Sequence, residues 1–206
     1  MLNWYLIVKK AGGLLTTWGK ARYSFSQIKD YTMRYLSMVI GLLMLGRPGC
    51  TQPPEDRPPV NNPEFDQKLS RMLQFSAPVI GVQEVRDIQE EVYIFDAREQ
   101  EEFDVSHIEG AKFLGYKDLN SEALEGVPKD AKLVLYCSVG YRSEKVAEKL
   151  KGKGYTQVYN MYGSIFEWVN EGYPVVGPDG KPTRKVHTYN AKWGKWVDRP
   201  DVEKVW

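Results

Sequence analysis

In the stretch Leu133-Val-Leu-Tyr-Cys137-Ser-Val-Gly-Tyr-Arg142-Ser143, a compact apolar run ends on a cysteine and a helix-forming segment follows almost at once. An apolar run of that kind suits a buried parallel strand. A cysteine at a strand's carboxyl end therefore lies where open α/β sheets place their ligand crevice. A loop curling over Cys137 aims successive backbone N–H groups inward, and Gly140 permits the tight curl. A helix starting near Ser143 adds its positive end. Both features stabilise a thiolate and should draw the thiol below its free value of about 8.5. Arg142 adds a fixed positive charge or locks the loop by pairing with a carboxylate. An inert buried thiol is the plain alternative for a lone cysteine. The spacing of Gly140, Arg142 and Ser143 around Cys137 favours a nucleophile instead.

The surroundings support the same architecture. Val92–Phe95 forms a second buried-strand run, and Gln157–Tyr159 a third. Between and after them lie amphipathic stretches. Val146, Ala147 and Leu150 share one face over Ser143–Leu150, with Gly152 and Gly154 as terminators. A further helix is expected over Ile165–Val169, and Pro63 opens one toward Phe75 with Phe65, Leu69, Met72 and Leu73 along one face. Alternating strands and helices predict an α/β fold: a mainly parallel sheet flanked by helices on both faces.

Bulk composition narrows the function. The 206 residues carry a net charge of +1, with 42% hydrophobic and 27% charged residues, which fits one ordinary domain with tails. Near-neutral charge without a basic stripe gives no reason to expect nucleic acid. Two cysteines and two histidines are too few for a disulfide scaffold and supply a zinc site poorly. A Cys50–Cys137 bridge is disfavoured, because Cys50 falls in a proline-rich stretch that reads as a tether.

Cys137-x-x-Gly140-x-Arg142-Ser143 resembles the active-site loop of the rhodaneses, sulfurtransferases that pass sulfane sulfur through a cysteine persulfide. Three further stretches match that family in order. They are Asp96-Ala-Arg98-Glu-Gln-Glu-Glu102-Phe103, His107-Ile-Glu-Gly110-Ala111, and Val158-Tyr-Asn-Met-Tyr-Gly163-Ser-Ile-Phe-Glu-Trp168. The resemblance covers about residues 78–176. It implies Cys137 and Arg142 as catalytic residues and Ser138, Val139, Gly140, Tyr141 and Ser143 as the substrate-binding loop. Asp96, Arg98, Glu102 and His107 take supporting roles, with Glu102 the candidate carboxylate partner of Arg98 or Arg142. A structural hydrogen-bonding role is favoured for His107, Trp168 is assigned to the core, and His187 receives no catalytic role.

The implied donor is thiosulfate, a polysulfide or a persulfide, and the acceptor a thiol or cyanide. No metal or organic cofactor is called for. Two departures from the family pattern stand out. Tyr162-Gly163 replaces a Gly-Gly pair, a change expected to touch packing more than chemistry. Ser138, Val139 and Tyr141 are uncharged where thiosulfate-using members often carry basic residues, which favours a persulfide or polysulfide donor. Phosphatases and arsenate reductases of related fold have one more residue between cysteine and arginine, so sulfur transfer is preferred. A non-catalytic binding or sulfur-sensing module is the third reading.

The ends of the chain are read separately, with residues 1–62 as leader and linker, 63–176 as the domain and 177–206 as a tail. Tyr35–Gly46 has the length of a signal-peptide hydrophobic region and follows Lys20, Arg22, Lys29 and Arg34; Met33 offers an alternative start. Gly49-Cys50 resembles a bacterial lipoprotein junction, although Arg47 and Pro48 depart from it. The expectation is an exported protein, anchored at a membrane through lipidated Cys50. The prolines from Pro53 to Pro59 are expected to act as a semi-rigid spacer. In the tail, Trp193, Trp196 and Trp206 interleave with lysines. They are expected to pack back onto the domain rather than form a contact surface.

Overall fold

The computed structural model describes residues 53–206. The apolar run Tyr35–Gly46, the alternative start at Met33 and Cys50 all lie outside the described residues. Among the described residues no helix is long and apolar enough to cross a membrane.

Five strands form one parallel sheet: β1 (Val79–Ile80), β2 (Tyr93–Asp96), β3 (Lys112–Phe113), β4 (Lys132–Tyr136) and β5 (Gln157–Met161), in the order β1-β5-β4-β2-β3. Helices α1 (Pro63–Met72), α2 (Val82–Asp87), α3 (Gln100–Val105), α4 (Tyr141–Gly152) and α5 (Ser164–Asn170) connect and flank it. Side-chain alternation in the central strand divides the core in two. Val134 and Tyr136 join the cluster that contains Phe65 of α1 and Phe166 and Trp168 of α5. Leu133 and Leu135 join the cluster with Val146, Ala147 and Leu150 of α4, and Cys137 continues that parity. The fold is thus the expected mainly parallel α/β sheet with helices on both faces.

Local chemistry explains several boundaries. Asn62 caps α1 by accepting from the N–H groups of Glu64 and Phe65, and Pro63 occupies the first turn, where its missing N–H costs nothing. The helix ends at Met72, short of the Phe75 expected. Beyond it the N–H groups of Gln74 and Ser76 donate to the buried Glu144 carboxylate, at 3.0 and 3.1 Å. Trp168 is buried in the core, and its indole N–H donates to the Pro174 carbonyl at 2.9 Å.

The segments outside the sheet are built into the fold. The proline-rich stretch does not act as a free spacer from Arg57 onward. Arg57 pairs with Asp66 at 2.5 Å and donates to the Tyr162 hydroxyl at 3.3 Å. Val60 packs on the core, and the Asn61 N–H donates to Glu167 at 2.7 Å. Arg57 and Val60 find a charge partner and an apolar seat that prolines alone would lack. Tyr162 is 1% exposed and its hydroxyl donates to Asp66 at 2.8 Å, so the departure from Gly-Gly serves packing.

Residues 177–206 carry β7 (Pro182–Thr183), which pairs antiparallel with β6 (Val175–Val176), and β8 (Lys185–His187), which pairs parallel with β9 (Glu203–Val205). A short helix α6 (Ala191–Gly194) lies between β8 and β9. Val186, Trp196 and Val197 are buried in the core, and Trp196 stacks on Phe65 with ring centroids 5.3 Å apart. Trp206, by contrast, is 68% exposed.

Candidate active site

The sheet delivers Cys137 one residue beyond β4, and α4 starts at Tyr141. Gly140 makes the turn between them at φ +114°, a conformation that L side chains rarely adopt. That turn brings the Gly140 N–H to 3.1 Å from the Cys137 sulfur. Two structures grip the loop from below. The Asn160 amide at the end of β5 donates to the Gly140 carbonyl at 3.0 Å and accepts from the Ser143 hydroxyl at 2.7 Å. The first turn of α5 takes the other side: Ile165 and Phe166 donate to the Cys137 and Ser138 carbonyls, both at 3.2 Å. The Ser164 hydroxyl accepts from the Cys137 N–H at 3.2 Å. With these loop carbonyls held on one side, the N–H groups of Gly140 and Ser143 face the sulfur.

Cys137 is a free thiol, 1% exposed. Burial alone would push it up. The charge of Arg142 and the N–H groups of Ser143 and Gly140 outweigh burial and hold the thiol below its ordinary value. Arg142 reaches Glu102 through a two-pronged contact, at 2.5 and 2.8 Å, and donates to the Ser138 hydroxyl at 2.9 Å. The Ser138 hydroxyl donates in turn to Glu102 at 3.2 Å. Glu102 is buried, which by itself would raise its pKa. Arg142, with help from Arg98, instead brings it below the usual carboxylate range.

The remaining predicted site residues separate. Asp96 and Arg98, both fully buried, pair with each other at 2.6 Å, and Arg98 also donates to the Ser106 carbonyl at 2.6 Å. His107 stacks on Phe103 at 3.9 Å and donates through Nδ1 to the Phe103 carbonyl at 3.1 Å. Its backbone bridges to Val176. Val139 is buried, whereas Tyr141 is 43% exposed over the loop.

A crevice of about 410 Å³ opens beside Cys137, lined by the loop and by Met72, Tyr116, Lys117, Glu99, Tyr189 and Trp193. The sequence did not single out Asn160, Ser164, Tyr189 or Trp193 for the site, and His187, given no catalytic role, lies near Glu102. His187 Nδ1 stands 3.8 Å from Glu102 and accepts the Tyr189 N–H at 3.2 Å, and burial keeps its pKa below the ordinary histidine value. The tail's aromatic content was the signal available, because aromatics that pack back must meet some face of the domain. Nothing local indicated that this face is the cysteine loop. Among the described residues, no group of three or more His, Cys, Asp and Glu side chains could hold a metal ion.

The match with known proteins falls on this same segment. The family model described as a rhodanese-like domain matches residues 82–171. The chain is 41% identical over 54 residues to a sulfurtransferase of Allochromatium vinosum, spanning 26% of this chain and 50% of that protein. It is 33% identical over 82 residues to MoeZ, a probable adenylyltransferase/sulfurtransferase of Mycobacterium tuberculosis, spanning 39% of this chain and 21% of that protein. The aligned regions thus cover half or less of these relatives. The solution structure of the rhodanese-like domain of an Anabaena protein aligns at 21% identity and a TM-score of 0.46, covering 48% of this chain and 79% of that one. Residues 82–171 of this chain, which hold the cysteine loop, its arginine and the carboxylate that binds it, are a rhodanese-like domain.

Proposed function

We propose that this protein is a sulfurtransferase that carries sulfane sulfur as a Cys137 persulfide. The observation that carries the reading is the Cys137 thiol, held below its ordinary value at the wall of a crevice, with the Gly140 N–H 3.1 Å from its sulfur. The Cys137 thiolate attacks the outer sulfur of a donor, and the inner sulfur leaves with the bonding electron pair. The Gly140 and Ser143 N–H groups and Arg142 stabilise the bound sulfur's negative charge, as donors do in an oxyanion hole. A thiol or cyanide acceptor then removes the outer sulfur and regenerates the thiolate. Arg142 acts at one remove: its guanidinium is clamped by Glu102 and Ser138, so it contributes field and loop geometry.

Intact mass spectrometry after incubation with inorganic polysulfide tests this. One added sulfur is expected on the wild type and none on Cys137→Ala, with thiocyanate formed when cyanide follows. Failure of the wild type to take up sulfur would leave a binding or sensing module. Hydrolysis of an aryl phosphate that vanishes in Cys137→Ala would move the protein to the phosphatase class.

A further inference from the structure

The C-terminal segment contributes Tyr189 and Trp193 to the wall of the crevice beside Cys137. Large hydrophobic side chains left exposed among the described residues are Tyr93, Tyr141, Tyr189 and Trp206, and two of these, Tyr141 and Tyr189, line the single crevice beside Cys137. Tyr189 is 58% exposed and holds a backbone φ of +67°, a left-handed conformation costly for a bulky side chain. The surroundings over-determine that conformation. The Tyr189 N–H donates to His187 Nδ1, the Thr188 N–H to the Val205 carbonyl at 2.8 Å, and the Asn190 N–H to the Thr188 carbonyl at 2.7 Å. Asn190 then caps α6 by accepting from the Trp193 N–H at 3.1 Å, which sets Trp193 at the same wall. A strained exposed aromatic, pinned beside a nucleophile, marks a surface shaped for a ligand.

The charges in the crevice lead in the same direction. Arg142 is clamped by Glu102 and Ser138, and its guanidinium carbon lies 6.0 Å from the centre of the Tyr189 ring. Lys117, the other cation there, has Glu99 3.9 Å away, itself a lining residue. A dianion such as thiosulfate thus meets one cation already clamped by a carboxylate and one exposed lysine loosely paired with another. Beyond the loop that holds the sulfur, the wall offers the apolar surface of Met72, Tyr189 and Trp193.

We propose that the C-terminal segment, through Tyr189 and Trp193, makes this crevice selective for organic persulfides with a flat apolar arm. This rests on the sulfurtransferase reading and names its donor. The arm lies against Tyr189, Trp193 and Met72 while its terminal sulfur meets Cys137. The step balances without a further reagent. The Cys137 thiolate forms a bond to the outer sulfur of R–S–SH and the bond between the two donor sulfurs breaks. R–S⁻ leaves with the electron pair, and the proton that stays on the transferred sulfur passes to solvent. No net oxidation occurs. A volume of about 410 Å³ lies within the range of small-molecule sites and leaves room for one aromatic ring beyond the sulfurs. Offset or edge contacts with the wall would favour a ring over an aliphatic arm.

The test compares kcat/KM for sulfur loading from three donors: benzyl persulfide released in situ, hydroxyethyl persulfide released in the same way, and thiosulfate. Wild type should prefer the benzyl donor over the hydroxyethyl donor about tenfold, which corresponds to about 1.4 kcal/mol of binding. Tyr189→Ala should bring that ratio close to one, chiefly through KM for the benzyl donor, and Tyr189→Phe should restore it. Trp193→Leu should lower the same ratio, and Trp206→Ala, outside the crevice, should leave it unchanged. Equal rates for both persulfides in the wild type, or a ratio that survives Tyr189→Ala, overturns the selectivity and leaves sulfur transfer standing. Absence of loading from all three donors and from inorganic polysulfide overturns sulfur transfer itself, and the selectivity with it.

Discussion

Arg98 and Arg142 each grip a carboxylate, but the regions around them make the two pairs different devices. Arg98 takes its partner, Asp96, from two residues away, and both side chains are fully shielded from solvent. Its hydrogen bond to the Ser106 carbonyl ties the strand end to the turn after α3. Arg142 takes Glu102 from another helix, forty residues distant in sequence, and its side chain is 15% exposed where the crevice opens. The first pair fixes backbone; the second holds charge beside a thiol. What separates them is an open face, so burial on every side makes a guanidinium–carboxylate pair structural.

The largest expected effect comes from breaking the enclosed pair. Asp96→Ala strands Arg98 without its counter-charge and should cost about 3–5 kcal/mol in denaturant unfolding, a large share of a typical domain's stability. Replacing both partners with apolar residues, as in Asp96→Val with Arg98→Met, should recover most of that loss. A loss below about 1 kcal/mol in Asp96→Ala would show that water reaches Arg98, and the contrast would fail.

Arg142→Ala should have the opposite profile. Its stability cost is expected at about 1.5–3 kcal/mol, the range for hydrogen bonds to charged groups. Sulfur loading at neutral pH should fall roughly tenfold, since the thiolate loses its nearest cation. Alkylation rate against pH measures this directly. The wild-type curve should rise at lower pH than that of a free cysteine, and the Arg142→Ala curve should move up.

Acid stability sharpens the comparison. Glu102 is held below its ordinary range despite burial, so its contribution is fully present above its unfolded value of about 4.3 and is lost as pH falls through the folded value. Arg142→Ala should therefore flatten the loss of stability in that acidic window, as read from unfolding midpoints across pH. A loss as steep as in wild type would assign the depression of Glu102 to other partners. The smallest effect is expected from Ser138→Ala, which removes one hydroxyl shared by Arg142 and Glu102 and should cost about 0.5–1.5 kcal/mol.

Legibility in the sequence follows how local the deciding interaction is. The strand–loop–helix around Cys137 could be recognised because an apolar run, Gly140 and an amphipathic helix lie within one short stretch. The two-residue strands β1 and β3 could not, since two residues show no alternation. Glu102 was recognised as a carboxylate partner, but the choice between Arg98 and Arg142 depends on where α3 docks against α4. The tail was hardest. Trp193, Trp196 and Trp206 share one interleaved pattern, yet the fold buries Trp196, exposes Trp206 and sets Trp193 at the crevice. Which of three similar residues reaches a site is decided by tertiary pairing between β8 and β9, to which a linear pattern is blind.

Asn160 has a consequence for motion. Its single amide spans the turn from the Gly140 carbonyl to the Ser143 hydroxyl and is itself anchored in a central strand. The loop should therefore share the opening free energy of the sheet rather than that of a surface connection, and its amide hydrogens should exchange as slowly as those of β5. A cradle that slow to breathe meets each incoming sulfur in the same geometry. Turnover would then be timed by entry and exit through the crevice, with little rearrangement of the loop.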